Sequence, residues 1–504
     1  MTDPLAAYRA CGATRAARPF ACELSPLELL GHLVERRLPA LLDSAENGCP
    51  DGRYSFLCAD PWAILRAKNG AAWLEVFRAP GSGRCASKPE RIGLGHPMKA
   101  LSQIQAALLA AEPPPLGLPF AGGALGYFAY DLGRSIERLP EKTIDDLGMD
   151  DLCLGLYDWA LVCDHGTDGS PIVNKGPNAP SPRWFLAATA RRPLELSTED
   201  ILDEAETWLA RSLRVESSPE PRHCPDAQTS SRVQRGFRPE AYIAAVRRAL
   251  EHIFAGDVYQ VCLTQRFDVE VNEPALALYD RLRRRTRAMF SAYLDTPTAQ
   301  LLSLSPERFL RLRGREVETC PIKGTRPRGN TPEEDAAMAA ELTASTKDLA
   351  ELSMIVDLER NDLGRVCEAG TVRVDDHAAL YTLPTVHHTV TRVAGTLRAE
   401  VDAAALLGAT FPGGSITGAP KIRSMEIIED IEPTRRGAYT GSIGYLDYSG
   451  DLDLNIAIRT VILRGKKASV QAGGGIVADS DPLAEHEEAL TKALALIEAL
   501  GASL

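Results

Sequence analysis

The sequence predicts an α+β protein. Short or alternating apolar stretches such as RYSFLCADPWAILRA and GLYDWALVCDH read as strands, and runs such as SPLELLGHLVERR, with apolar residues at helical spacing, read as helices between them. Apolar residues make up 45% of the 504, ample for burial, and that length implies two or three lobes. Residues 1–190 form the first, α+β in pattern. A helix follows at STEDILDEAETWLARSL, with Ser197 or Thr198 as N-cap. The stretch RVESSPEPRHCPDAQTSSRVQRG, rich in Ser, Pro and charge, then completes a helix and mobile linker over 191–236. From 237 to 504 the chain is denser in glycine and charged helices, and any chemistry is expected there. No internal repeat recurs at a fixed period.

Charge and composition remove several function classes. A net charge of -12 argues against general affinity for nucleic acid or an anionic membrane surface, because both demand a positive field. An anionic ligand must therefore meet a local basic pocket. No segment approaches the roughly 20 apolar residues of a membrane span. MTDPLAAYRACGATRAARPF lacks the apolar core of a signal peptide, so a cytoplasmic enzyme is expected. The 11 cysteines are scattered singly with no Cys-x-x-Cys, which reads as reduced core residues rather than a disulfide framework or zinc site.

Two acidic helical segments stand out in the second half. Asp348 and Glu351 in TKDLAELSMIVDLERNDLGR are three apart and share a face; Glu485 and Glu488 in DPLAEHEEALTKALALIEAL do likewise, with Lys492 one turn further. They are either two solvated faces or two walls of a cleft holding a hard divalent ion such as Mg2+, which takes carboxylate oxygens and keeps several waters. Glycine clusters supply a complementary half. FPGGSITGAPK precedes a helical pattern starting near Pro420, and would aim backbone N–H groups and a helix N-terminus at an anion; Gly473, Gly474 and Gly475 permit close backbone approach to a ligand; each could equally be a tight turn. Neither matches a phosphate loop or a dinucleotide fingerprint. Arg459 lies within the apolar strand pattern LNIAIRTVIL, where it grips either a ligand carboxylate or a nearby Asp or Glu. His388 in TVHHTVTRV is a packed strand residue or a pocket residue, and Lys323 in ETCPIKGTRPRG interrupts what would more naturally continue as a buried strand.

These motifs in this order resemble the chorismate-utilising enzymes: component I of anthranilate synthase, component I of aminodeoxychorismate synthase, and the isochorismate and salicylate synthases. The likeness runs through GDVYQVCLTQRF, SLSPERF, PIKGTRPRG, KDLAELSMIVDLERNDLGRV, VHHTVTRV, FPGGSITGAPKIRSMEIIEDIEPTRRGAYTGSIGY, LNIAIRT and AGGGIVADSDPLAEHEEALTKA, over roughly residues 237–500. LLDSA and RYSFLCADP extend it more weakly into the first lobe. The implied fold is the anthranilate synthase component I-like form of α+β: large antiparallel sheets packed as a sandwich, with helices outside. Members that use water as nucleophile carry a lysine base where this chain has Gln260, and a Gln cannot remove a proton from water at neutral pH. Anthranilate synthases usually read Pro-Ile-Ala-Gly-Thr where this chain reads PIKGT. Lysine there, with Asp in KDLAE, resembles aminodeoxychorismate synthase, which makes 4-amino-4-deoxychorismate on the way to 4-aminobenzoate and folate.

The resemblance also implies roles. An amine lining a dry pocket loses solvation in its charged form and becomes a nucleophile, so Lys323 would attack C2 of chorismate and the C4 hydroxyl would leave with an allylic shift. Glu307 would be the general acid. Glu351 and Glu488 would hold Mg2+, with Asp348 and Glu485 close by, and the metal would neutralise the C1 carboxylate. Tyr439, Arg459 and the amides of Gly473, Gly474 and Gly475 would bind carboxylates together with Gly324 and Thr325, while His388 and Ser415 line the pocket near the ring. No cysteine sits in a Gly-x-Cys-x-Gly context, so a separate glutamine amidotransferase subunit is implied as ammonia source. Ser44 of LLDSA keeps a serine that helps form a tryptophan pocket in relatives, although the partner stretch RAMFSAYLD has Met289 where Pro is usual. The alternatives are anthranilate synthase component I, with ammonia added at C2, and a catalytically silent subunit that binds chorismate or tryptophan and regulates a partner.

Overall fold

The stretch RYSFLCADPWAILRA folds as two strands, Tyr54–Cys58 and Ala63–Lys68, and they belong to different sheets. The chain crosses at Asp60-Pro61, where Asp60 has φ +53 and Pro61 has no N–H to give to a ladder. GLYDWALVCDH divides in the same way at Asp158, into Leu152–Tyr157 and Trp159–Asp164. The structure is a computed structural model that describes residues 5, 13–45, 50–77, 88–109, 112–166, 183–191, 196–214, 231–383 and 386–504.

The result is two 12-stranded antiparallel sheets. In the first, Ala13–Phe20, Arg183–Arg191, Trp159–Asp164, Tyr54–Cys58 and Ala40–Asp43 continue into Phe290–Asp295, Gln300–Ser305, Thr460–Arg464, Lys467–Ile476 and Gln260–Glu270. In the second, Ile322–Pro327, Val386–Thr396, Glu316–Cys320, Arg308–Arg313, Leu452–Asn455 and Ser442–Asp447 continue into Gly123–Phe128, Leu152–Tyr157 and Ala63–Lys68. Both sheets thus draw strands from either side of the 191–236 segment. Of that segment, Thr198–Arg214 is helical and Ser197 caps it, its hydroxyl accepting from the Asp200 N–H at 3.1 Å. Residues 215–230, within the expected mobile connector, lie outside the described residues.

The sheets pack face to face. Phe56, Val162, Leu294, Leu301 and Ile462 of one meet Ile64, Leu125, Ile443 and Tyr445 of the other. Fully burying each such aliphatic side chain is worth about 1.5–3 kcal/mol. Helices cover the outer faces: Pro97–Leu108, Thr346–Gly364 and Ala403–Thr410 share a core with the second sheet, and Thr198–Arg214, Ala275–Arg285 and Pro482–Ala499 share one with the first. This is the α+β sandwich the resemblance implies. The SPLELLGHLVERR helix is shorter than its pattern, Pro26–Gly31, with Ser25 and Glu28 forming a capping box and Gly31, a poor helix former, as its last residue. Among the described residues, no helix is long and apolar enough to cross a membrane.

Candidate active site

Lys323 stands where a ladder is broken twice. Glu316–Cys320 and Ile322–Pro327 run end to end along Val386–Thr396, separated by Pro321, and the register slips again between Lys323 and Thr325. Gly324 occupies the slip with φ +76, and a Cβ there would lie 2.7 Å from Leu342 Cδ1 and 3.1 Å from Asp348 Cγ, so glycine is required for both conformation and space. The bulge turns Lys323, Gly324 and Thr325 toward a cavity of about 600 Å³. The Lys323 ammonium donates to the Ser415 carbonyl at 3.3 Å, and the residue is half-buried rather than sealed in a dry pocket.

Glu307 enters the same cavity from the turn after Gln300–Ser305. It is only 6% exposed, and burial pushes its carboxyl above the usual range, opposed by the Ser415 hydroxyl, the Lys323 charge and the Ile322 backbone N–H. A carboxyl so placed is suited to deliver a proton.

The residues expected to bind carboxylates line the same cavity. Among the described residues, the Arg459 guanidinium has no carboxylate partner, and burial alone pulls its pKa down. The ion-paired reading of Arg459 therefore fails, and a buried, unpaired guanidinium on a cavity wall is what a carboxylate ligand would satisfy. His388 faces Thr325, Nδ1 to Oγ1 at 2.9 Å, and burial together with the Arg459 charge lowers its pKa to about 4, so the ring is neutral. Tyr439 is buried in the same wall, its phenol pushed up by burial. Gly473, Gly474 and Gly475 pair with Thr264, Leu263 and Cys262 on one side, whereas the neighbouring strand Thr460–Arg464 ends its pairing at Val470. Their other edge is open to the cavity. Side chains there would collide: a Cβ at Gly473 would lie 2.0 Å from the Leu263 carbonyl oxygen, and one at Gly475 2.7 Å from Gln260 Nε2. Gln260 itself lies beneath Gly475, outside the cavity wall.

The two acidic helices do face one another. Asp348 and Glu351 project from Thr346–Gly364, and Glu485 and Glu488 from Pro482–Ala499, into the one cavity. Burial raises Glu351, with the Asp348 and Glu485 charges adding to it; burial raises Glu485 as well, Glu488 adding while Ser480, which donates at 2.7 Å, opposes. Glu488 is pushed up by burial but falls below its ordinary value because Lys492 pairs with it at 2.7 Å and Lys347 and Lys323 lie near. Asp348 receives Arg326 at 3.3 Å. Among the described residues, no three carboxylate, His or Cys side chains converge closely enough to hold an ion as they stand. The donor set nonetheless fits a hard divalent cation: oxygens only, on two helices, with mutually unfavourable charge that a cation would relieve. A Cβ at Gly474 would come 3.1 Å from Glu485 Oε2 and 3.9 Å from Glu488 Oε1, so that glycine keeps the space beside these carboxylates clear.

The FPGGSITGAPK segment behaves otherwise than expected. Ser415 and Ile416 reach the cavity, but Gly413 and Gly414 serve contact with Ile456 and Leu358, and the helix Lys421–Ile431 starts away from it, with Lys421 bound to Asp362 and the Thr410 carbonyl. It is a packing turn rather than an anion cradle. Ser44 is elsewhere too, in a second cavity of about 410 Å³ shared with Met289, Arg308 and Tyr445. Its hydroxyl donates to the Tyr54 carbonyl at 2.7 Å. Sequence reasoning did not find Thr264, Lys347 and Gln471, which also line the first cavity, because single polar residues in strands and helices carry no distinguishing pattern.

Comparison with known proteins gives the family. The model of the chorismate binding enzyme family matches residues 47–498. Aminodeoxychorismate synthase component 1 of Salmonella typhimurium is 38% identical over 455 residues, 90% of each chain. Anthranilate synthase component 1 of Thermus thermophilus is 40% identical over 465 residues, 91% of each. The crystal structure of anthranilate synthase component I from Streptococcus pneumoniae superposes with a TM-score of 0.72 at 29% identity, covering 89% of this chain and 92% of that one. On the match across nearly its whole length, the chain belongs to the family of chorismate binding enzymes.

Proposed function

We propose that the chain is the chorismate-converting component of an aminodeoxychorismate synthase, joining chorismate and ammonia to give 4-amino-4-deoxychorismate and water. The observation that carries this is Lys323. Overall identity is as high to an anthranilate synthase as to aminodeoxychorismate synthases, so the choice rests on which groups face the ring. Lys323 lines the same cavity as Arg459 and lies close enough to Glu307 for its charge to act on that carboxyl, so an amine is offered to a dianion bound there.

In this reading Arg459, Tyr439 and the open edge of Gly473–Gly475 orient the carboxylates. The Lys323 nitrogen bonds to C2 through its lone pair, the ring double bond shifts, and the C4 hydroxyl departs as water with the Glu307 proton. Ammonia bonds to C4, the electron pair shifts back, the Lys323 amine leaves, and the new ammonium group returns its proton to Glu307. The enolpyruvyl group stays in place. Glu351 and Glu488, with Asp348 and Glu485, would hold Mg2+, which neutralises the C1 carboxylate when bound. Lys492 must then release Glu488. Chelation is expected to abolish turnover and added Mg2+ to restore it, and Glu351→Gln should raise the Mg2+ needed for half-activation by at least about tenfold; a metal-titration curve unchanged in that variant would remove Glu351 from the set.

The deciding experiment is to incubate the purified protein with chorismate, Mg2+ and ammonium, and to identify the product by mass spectrometry with and without aminodeoxychorismate lyase. A product retaining the enolpyruvyl group, converted by the lyase to 4-aminobenzoate, supports the reading. Fluorescent anthranilate without the lyase would refute it. Ammonia is supplied by a glutamine amidotransferase partner, in keeping with the name component 1 carried by the relatives. The cavity around Ser44 and Met289 is assigned to tryptophan, since it is lined by strands of both sheets and carries a serine together with Arg308 and Asp453. Calorimetry with about millimolar tryptophan should give heat that Ser44→Ala diminishes; absence of heat would remove the assignment.

A further inference from the structure

The groups expected to grip carboxylates rest on an ion pair that this mechanism does not use. Arg436 is 1% exposed and Glu432 6%, and neither lines the cavity. The guanidinium holds the carboxylate by two bonds, Nε to Oε2 at 3.0 Å and Nη2 to Oε1 at 2.7 Å. Its remaining N–H groups go to residues of the cavity wall: Nη1 donates to the Ile416 carbonyl at 3.0 Å and to Thr440 Oγ1 at 3.3 Å, and Nη2 to the Cys262 carbonyl at 2.8 Å. All five donors of the fork are thus engaged. Glu432 Oε1 also accepts from the Thr264 N–H at 2.9 Å and from its hydroxyl at 2.8 Å, and the Arg436 carbonyl accepts from the Tyr439 N–H at 3.2 Å and from Gln471 Nε2 at 3.4 Å. Each of these partners lines the cavity. One buried pair therefore ties together the strands Gln260–Glu270 and Lys467–Ile476, the turn Gly414–Ile416 and the segment that carries Tyr439.

The backbone gives a second, independent observation. Among the described residues that line this cavity, Thr440 and Arg459 are the non-glycine residues in the left-handed region, with φ +59 and +50. For β-branched Thr440 that conformation is strained and persists only with support from its surroundings. Its hydroxyl is engaged within the protein, accepting from Arg436 and donating to the Tyr439 carbonyl at 2.6 Å. Its N–H donates to the Ala457 carbonyl at 2.8 Å, and the Ala457 N–H donates back to the Gly441 carbonyl at 2.9 Å, two residues before Arg459. The two strained segments are clamped to one another, and Arg436 holds the first of them.

We propose that Arg436 and Thr440 are positioning residues for Tyr439 and Arg459, the buried fork and the threonine hydroxyl together fixing the carboxylate-binding groups before chorismate arrives. This rests on the reading that Tyr439 and Arg459 bind the carboxylates. The physical basis is pre-organisation: a ligand gains the full strength of a phenol and a guanidinium only when neither has to be ordered on binding. Without the hydroxyl and the fork, the segment around residue 440 relaxes among several backbone conformations, and through the Ala457 clamp the slack reaches Arg459.

The test measures chorismate affinity by calorimetry without ammonia, KM and kcat with ammonia, and the thermal midpoint, in the parent, Thr440→Gly, Thr440→Ser and Arg436→Lys. Glycine takes φ +59 without strain and loses only the hydroxyl's two bonds. Thr440→Gly should therefore weaken chorismate binding by roughly tenfold or more, with KM accounting for most of the loss in kcat/KM, while the thermal midpoint stays within about 3 °C of the parent's. Thr440→Ser, which keeps the hydroxyl, should recover most of the affinity. Arg436→Lys keeps a charge opposite Glu432 but not the fork, and should show the same rise in KM; if that variant does not fold, the two Thr440 variants decide the matter. Unchanged affinity in Thr440→Gly, an equal loss in Thr440→Ser, or affinity that falls only together with the thermal midpoint would overturn the proposal and leave the pair a structural one. Arg459→Ala is measured alongside. If it binds chorismate as the parent does, the carboxylate-binding reading itself fails and the proposal with it; if it binds weakly while Thr440→Gly and Arg436→Lys bind normally, the proposal alone fails.

Discussion

Lys323→Ala is expected to reduce formation of 4-amino-4-deoxychorismate by roughly 10³-fold or more, the scale on which enzymes lose rate when a nucleophile is removed. The substitution is sterically mild. Lys323 is half-buried on an edge strand, and its backbone is held independently of its amine, by pairing to Thr389 and by the hydroxyl of Thr389 donating to its carbonyl. The Gly324 bulge also survives, so the cavity should keep its shape and chorismate should bind with little change. If Lys323 only paired with a substrate carboxylate, the loss would instead appear mainly in KM, and Lys323→Arg would recover much of it. The nucleophile reading predicts that arginine does not rescue, because a guanidinium stays protonated and has no lone pair to offer C2. Single-turnover product analysis separates these outcomes and also reveals any anthranilate formed when C2 is left open to ammonia.

Much of this site is readable from the chain because its groups sit in short motifs, each fixed by its own local structure. PIKGT contains both Lys323 and the glycine whose φ of +76 makes the bulge that turns it to the cavity. Asp348 with Glu351, and Glu485 with Glu488, share helix faces by spacing alone. What periodicity does not carry is which partner a strand meets. RYSFLCADPWAILRA shows two buried strands, yet burial is equally satisfied in one sheet or two, so the crossing at Asp60-Pro61 is not legible. Glycine runs are ambiguous for a related reason. Gly473–Gly475 leaves an edge open to the cavity, whereas Gly413 and Gly414 make room for Ile456 and Leu358, and the same absence of a side chain serves both. Glu359 is the sharpest case: within VDLERNDLGR it reads as one more charge on a polar helix, and only the fold buries it against Thr319.

Glu307→Gln is expected to lower kcat by about 10²–10⁴-fold, the usual contribution of a positioned general acid, with a small effect on KM. Glutamine fits the site, since the backbone N–H of residue 307 still donates to Ser305 Oγ at 3.2 Å and its carbonyl still accepts from Ile456 at 3.0 Å. It cannot release a proton to a departing hydroxyl. The sign of the pH dependence follows from the burial that raises Glu307: the acid form is populated to higher pH than in an exposed glutamate, so the parent loses activity only as pH rises through that elevated value. Once the ionisable group at 307 is gone, the residual rate should lack that limb altogether. A chorismate analogue whose C4 leaving group departs without protonation sharpens the test, because such a substrate bypasses the acid. It should narrow the gap between parent and variant by an order of magnitude or more. An equal deficit with both substrates would mean that Glu307 holds the cavity together rather than supplying the proton.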